Sequence, residues 1–232
     1  MPTRDSVWSE QDTSPSRIDE ALRELLRERH AEDAASVPAR VLNLVVVVDG
    51  AWSGEVANRL RHVGRFHPSR TIVCQVERGR TTLDATASIA AEETVAPDEP
   101  PAMRELVVVR CAPHHLRRID RLVDPLVVTD LPTMVWAPHG HDEAVDALLA
   151  LAQVVLLDSV DGDDVAEALA RARRLSEQVY VVDLAWLRST PWRERVAAAF
   201  DPPALRPRLG EIAGVGVRHH PWSRAAGLLL VG

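Results

Sequence analysis

Four short stretches of this chain carry side chains able to do chemistry. His139-Gly140-His141 follows an apolar run ending at Trp136, and a His-x-His at the carboxyl end of a strand can ligate a divalent metal, with Asp142 and Glu143 adding carboxylates. Such a centre needs further ligands from other strand ends, and His62, His67, His114, His115 and Asp158 are available without any telling spacing. Gly140 and Asp142 read equally well as a loop and the start of a helix. His67-Pro68-Ser69-Arg70 combines a fixed turn, an imidazole, a hydroxyl and a guanidinium. There Arg70 could clamp a carboxylate and His67 could donate to an anion, or the turn could lock the start of a strand with Arg70 paired internally. Asp49-Gly50-Ala51-Trp52-Ser53-Gly54 closes a valine run, where α/β proteins bind phosphates or hold a nucleophile. Gly50 and Gly54 do not make GxGxxG, and Ser53 lacks the flanking glycines of a nucleophile elbow, so a helix-capping loop is the better reading. Asp158, Asp161, Asp163 and Asp164 surround Gly162 without the alternation of a calcium loop, which leaves Asp161 or Asp163 as a helix cap.

No catalytic set, metal centre or cofactor motif is assembled by these residues. Two classes of function remain: a protein-binding module, or an α/β ligand binder or metal-dependent hydrolase using strand ends near Ser53, His67 and His139.

Composition removes other classes. All 27 basic residues are arginine, so no Schiff-base lysine and no Walker-type phosphate lysine can exist. A net charge of −7 with scattered arginine argues against a nucleic-acid partner, which needs a clustered basic surface. Cys74 and Cys111 sit in apolar runs without a CxxC, the pattern of buried free thiols in a reducing compartment. Neither a secretory leader nor a membrane-length apolar run is visible, so a cytoplasmic location is expected.

The elements that must position these groups follow from periodicity. Residues 1–16 read as a mobile lead, and Ile18, Ala21, Leu22, Leu25 and Leu26 predict a helix to Glu28 with Ser16 as its cap. Val41 to Val48 predicts a strand buried on both faces. A helix over Glu55 to Val63 and a strand over Thr71 to Val76 follow, with Thr82 to Ala91 folding back on that strand as an antiparallel hairpin through Arg78-Gly79-Arg80. Further strands are expected at Glu105 to Cys111, Thr133 to Trp136, Val154 to Asp158 and Val179 to Val182. They alternate with helices at His115 to Val123, Glu143 to Leu151 and Val165 to Glu177. This alternation implies an α/β fold with a mostly parallel central sheet flanked by helices. Past Asp201, Gly214 to Arg218 suggests a strand and Ser223 to Val231 a helix.

Between Tyr180 and Asp201 two tryptophans bracket a strand-to-helix junction. Thr190 can cap a helix, Pro191 suits its first position, and Asp201-Pro202-Pro203 stops it. Trp192, Val196 and Ala199 share one helical face, and Trp186 and Trp192 are each either packing anchors or contact surface.

The chain resembles the glucose-6-phosphate dehydrogenase assembly proteins called OpcA. The resemblance rests on motifs in the same order: Asn43 to Val48, His67 to Arg70, Asp130-Leu131-Pro132, Asp158-Ser159, Asp183 to Trp186 and Thr190 to Glu194. It covers residues 38–232, and it departs where Thr133 to Ala137 keeps one tryptophan of a frequent pair. It implies a bacterial, non-catalytic partner that binds glucose-6-phosphate dehydrogenase and favours its active oligomer in the oxidative pentose phosphate pathway. Residues 1–37 would form a lead and helix, 38–160 an assembly domain, and 161–232 a C-terminal domain that is incomplete beside the longer family members. His67, Arg70, Trp186, Trp192 and Arg193 are the candidate partner-binding residues.

Overall fold

The computed structural model describes residues 6–32, 40–64, 68–91, 103–161, 164–218 and 220. The chain divides into two compact units, Met1–Val155 and Leu156–Gly232.

In the first unit β1 (Ser6–Glu10) and α1 (Pro15–Glu32) precede β2 (Leu42–Asp49), α2 (Ser53–Gly64), β3 (Ser69–Val76), β4 (Asp84–Ala91) and β5 (Met103–Cys111). Then come α3 (Asp120–Val123), β6 (Thr133–Trp136) and α4 (Asp142–Leu148). The strand order is β1-β4-β5-β3-β2-β6, followed by β7 (Val154–Leu157), within which the boundary between the units falls. Strands β5, β3, β2 and β6 run parallel, while β4 is antiparallel to both β5 and β1.

Burial explains the centre. Val45, Val46, Val47 and Val48 of β2 are wholly buried, so successive side chains on both faces of the strand are covered. Each such side chain contributes about 1.5–3 kcal/mol relative to exposure, and β-branching suits the pleated backbone. At its head the buried Asn43 accepts from the Val128 N–H at 2.9 Å and donates to the carbonyls of Val128 and Leu131, at 3.0 and 3.2 Å. Its own N–H reaches the Pro132 carbonyl, so the Asn43 and Asp130-Leu131-Pro132 motifs meet as one structural joint.

Several expectations change. Ser6–Glu10 is not lead but an edge strand, registered from Ser6 on Ile89 to Glu10 on Ala85. The α1 helix begins earlier than its apolar face, and Ser14, not Ser16, accepts the Arg17 N–H. The antiparallel partner of β4 is β5, not β3. The valines of β5 take the place beside β3 and leave the alanine-rich β4 outside them. The helix expected over His115 to Val123 breaks into 3-10 turns at Pro113–Arg118 and Asp124–Leu126 around α3, with a proline near the start of each turn.

In the second unit β8 (Tyr180–Asp183) adjoins β7 and is preceded by α5 (Val165–Ser176). After it come α6 (Leu184–Arg188), α7 (Thr190–Ala199) and a 3-10 turn over Arg206–Glu211. Asp164 caps α5, accepting from the N–H groups of Ala166 and Glu167, in place of the expected Asp161 or Asp163. Residues 214–218 form no strand, and the helix expected over 223–231 lies outside the described residues.

Candidate functional site

The parallel strands bring two sequence candidates together. Asp49 ends β2, and His139-Gly140-His141 follows β6, its neighbour in the sheet. The His141 Nε2 lies 3.3 Å from Asp49 Oδ1, within ion-pair range but outside hydrogen-bond geometry, and that nitrogen is enclosed. Trp52, in the 3-10 turn Gly50–Trp52, stacks on His139 with ring centres 4.8 Å apart and planes at 29°. It keeps 45% of its surface in solvent.

The loop after β6 holds three consecutive left-handed residues: His139 at φ 65°, Gly140 at 116° and His141 at 64°. A side chain costs roughly 1–2 kcal/mol there, so two non-glycine residues mark stored strain. His141, rather than Gly140 with Asp142, caps α4, accepting from Ala144 and Val145 through its carbonyl with no side-chain bond. Ser53 donates to the Gly50 carbonyl at 2.8 Å, which closes the turn before α2. Among the described residues no three His, Cys, Asp or Glu side chains converge to hold a metal ion.

His67 lies outside the described residues. Arg70 is buried and internally paired: its Nε donates to Glu105 Oε2 at 2.7 Å and its Nη1 to the Leu126 carbonyl at 3.0 Å. Glu105 is wholly enclosed and also accepts from Arg40, so one carboxylate holds two guanidinium groups. Of the two sequence readings of Arg70, the internal pair is the one observed. Both thiols are buried; desolvation pushes Cys111 up to about 11 and Cys74 well above its usual value.

The second unit gathers the motifs at Asp158-Ser159, Asp183 to Trp186 and Thr190 to Glu194. Asp183 Oδ1 accepts from the Ser159 and Ala185 N–H groups, tying the end of β7 to the start of α6. Arg188 pairs bidentately with Asp158, both contacts being 2.7 Å. Arg193 lies over the Trp186 ring with its Cζ 3.7 Å from the centroid, and it donates to Ser189 Oγ, Thr190 Oγ1 and the Trp186 carbonyl. Thr190 therefore holds a guanidinium instead of capping α7. Trp192 faces solvent with 61% of its surface exposed, and Val196 one turn on is exposed at 62%.

The sequence profile described as "Glucose-6-phosphate dehydrogenase subunit N-terminal domain" matches residues 60–174, and the corresponding C-terminal domain profile matches residues 179–232. The chain belongs to the OpcA family. OpcA proteins assigned to the OxPP cycle are similar to it. The one from Synechocystis is 29% identical over 132 residues, covering 55% of this chain and 28% of that protein. The one from Synechococcus elongatus is 27% identical over 171 residues, 72% and 38% of the respective lengths. The Nostoc punctiforme protein is 31% identical over 121 residues, 50% and 26%. The matches span between about a quarter and two fifths of these OpcA relatives. No solved structure gives a significant match.

Sequence reasoning missed the pairing of Asp49 with His141 and of Trp52 with His139. Both motifs were visible, each just after an apolar strand. Their adjacency was not, because β3, β4 and β5 intervene in the chain between β2 and β6. Likewise nothing in the spacing of Asp158 and Arg188 announces their pairing. Among the described residues no helix is long and apolar enough to cross a membrane.

Proposed function

We propose that this OpcA-family chain is a non-catalytic cytoplasmic assembly factor that binds glucose-6-phosphate dehydrogenase and favours its active oligomer. The family descriptions match residues 60–174 and 179–232 to domains of a glucose-6-phosphate dehydrogenase subunit, which supports a part for both segments in that association. The observation that carries the reading is the face of α7. Trp192 and Val196, an i,i+4 pair, stand in solvent on a helix with no buried residue. Exposed tryptophan is a common energetic anchor of protein interfaces.

The earlier set of contact residues narrows accordingly. Arg70 is committed to Glu105, and Arg193 and Trp186 bind each other, so Trp192 is the leading contact. The mechanism is linkage: a protein that binds the assembled dehydrogenase tenfold more tightly than the unassembled form shifts that equilibrium by about 1.4 kcal/mol.

Titrating the protein into its cognate dehydrogenase while following activity and mass tests the reading. Growth of the larger oligomer with a rise in activity is expected, and Trp192→Ala is expected to weaken the effect about tenfold or more. No change in either readout would sink the proposal.

A further inference from the structure

We propose that the half-exposed surface of Asp49 and Trp52, where the loops at the carboxyl ends of β2 and β6 meet, binds a small neutral molecule with a ring face and adjacent hydroxyls. A sugar, or the ribosyl part of a nucleoside, has that chemistry. Asp49 would accept from the hydroxyls, and Trp52 with His139 would cover the ring. The inference is independent of the dehydrogenase reading.

Topology gives the place. From β2 the chain builds β3 and β5 on one side, then crosses back to lay β6 on the other. Right-handed crossovers leave β2 and β6 in opposite directions, the arrangement at which open α/β sheets bind ligands, and here the two loops meet through Trp52 on His139 and His141 beside Asp49. Asp49, Trp52 and His139 all sit in those loops. The order of the strands, which no motif announced, makes this the switch point of the sheet.

Chemistry selects the ligand. A phosphate would meet Asp49 on β2, Glu55 in the first turn of α2, and Asp142 and Glu143 in the first turn of α4. Glu55 is paired with Arg59 at 2.5 Å and Glu143 with Arg117 at 3.1 Å, but the half-exposed Asp49 carboxylate at the site itself still disfavours an anion. No ligand set for a metal ion converges among the described residues. A purely apolar molecule would cover the half-exposed Asp49 carboxylate without replacing its hydrogen bonds to water, at a cost of several kcal/mol by transfer estimates. Hydroxyl donors remove that cost, and the half-exposed indole offers a flat apolar surface. The enclosed His141 imidazole stands against Asp49 Oδ1, behind a loop whose left-handed backbone brings both histidines to the β2 side.

Saturation-transfer NMR on the full chain, with D-glucose, adenosine and inorganic phosphate tested separately, decides the matter. Saturable binding of D-glucose or adenosine with a Kd of about 1 mM or tighter is expected, weakened about tenfold by Asp49→Asn and by Trp52→Ala. Both positions are partly exposed, and an unchanged thermal melt for at least one variant verifies its fold. A response to D-glucose alone identifies a sugar site, and a response to adenosine alone a nucleoside site. The proposal is overturned if neither binds, if both folded variants bind like the wild type, or if phosphate binds more tightly than either. Because no dehydrogenase is present, failure here leaves the assembly reading untouched.

Discussion

Arg193 lies over the Trp186 ring at 3.7 Å from its centre while donating to the hydroxyls of Ser189 and Thr190. Only a planar, forked cation can stack and donate in this way. Arg193→Lys keeps the charge and loses the fork, so it is expected to destabilise the second unit by about 1–2 kcal/mol. Urea denaturation followed by tryptophan emission reads this, and an unchanged midpoint would refute it.

The carboxylate of Glu105 is wholly enclosed between Arg70 and Arg40. Glu105→Gln leaves two guanidinium groups without their countercharge and is expected to cost about 3–5 kcal/mol. Pairing Glu105→Leu with Arg70→Met removes the more deeply buried ion pair, leaves only the more exposed Arg40 without its partner, and should recover part of that loss. Denaturation midpoints of the single and double variants test both statements.

Asn43 spends its donors and its acceptor on Val128, Leu131 and Thr133. Truncation strands several buried polar groups, each costing about 1–3 kcal/mol, so Asn43→Ala should rank among the most damaging polar substitutions in the first unit. Chemical denaturation against a surface control such as Asn58→Ala measures it.

Cys111 ionises near 11 because burial disfavours its thiolate, with Glu77 adding to the effect and Arg80 opposing it. The folded state therefore keeps a proton that the unfolded chain has begun to release above its ordinary value of 9.0. This contribution is fully present below pH 9.0 and fades as pH rises toward 11, by about 1.4 kcal/mol per unit at most. Cys111→Ala is expected to lessen the alkaline loss of stability. Near neutral pH neither thiol should react with iodoacetamide until the protein is unfolded.

Much of the framework was legible because its signals are local. The valines of β2 allow little but a buried strand, and α5 was expected over Val165 to Glu177 and is observed over Val165–Ser176. The failures were non-local. Ser6–Glu10 is short and half polar, and it becomes a strand only because β4 offers it an edge. Arg78-Gly79-Arg80 does turn the chain after β3, yet a tight turn could not reveal that the more apolar β5 would pair with both flanking strands. At the candidate site the residues were visible and their meeting was not. For Trp192 the helical face was read correctly, but its exposure depends on tertiary packing that no local pattern encodes.

The edge strand β1 has a consequence for how the molecule is made. Ser6 is synthesised well before its partner Ile89, which emerges only after β2 and β3 have been made. Closing so long a loop is slow compared with forming the local elements, so β1 docks late. In the interval β4 presents unpaired backbone groups to any other extended chain. The five residues of β1 thus act as a seal against misassociation, and a chain lacking Ser6–Glu10 should fold yet aggregate in proportion to its concentration.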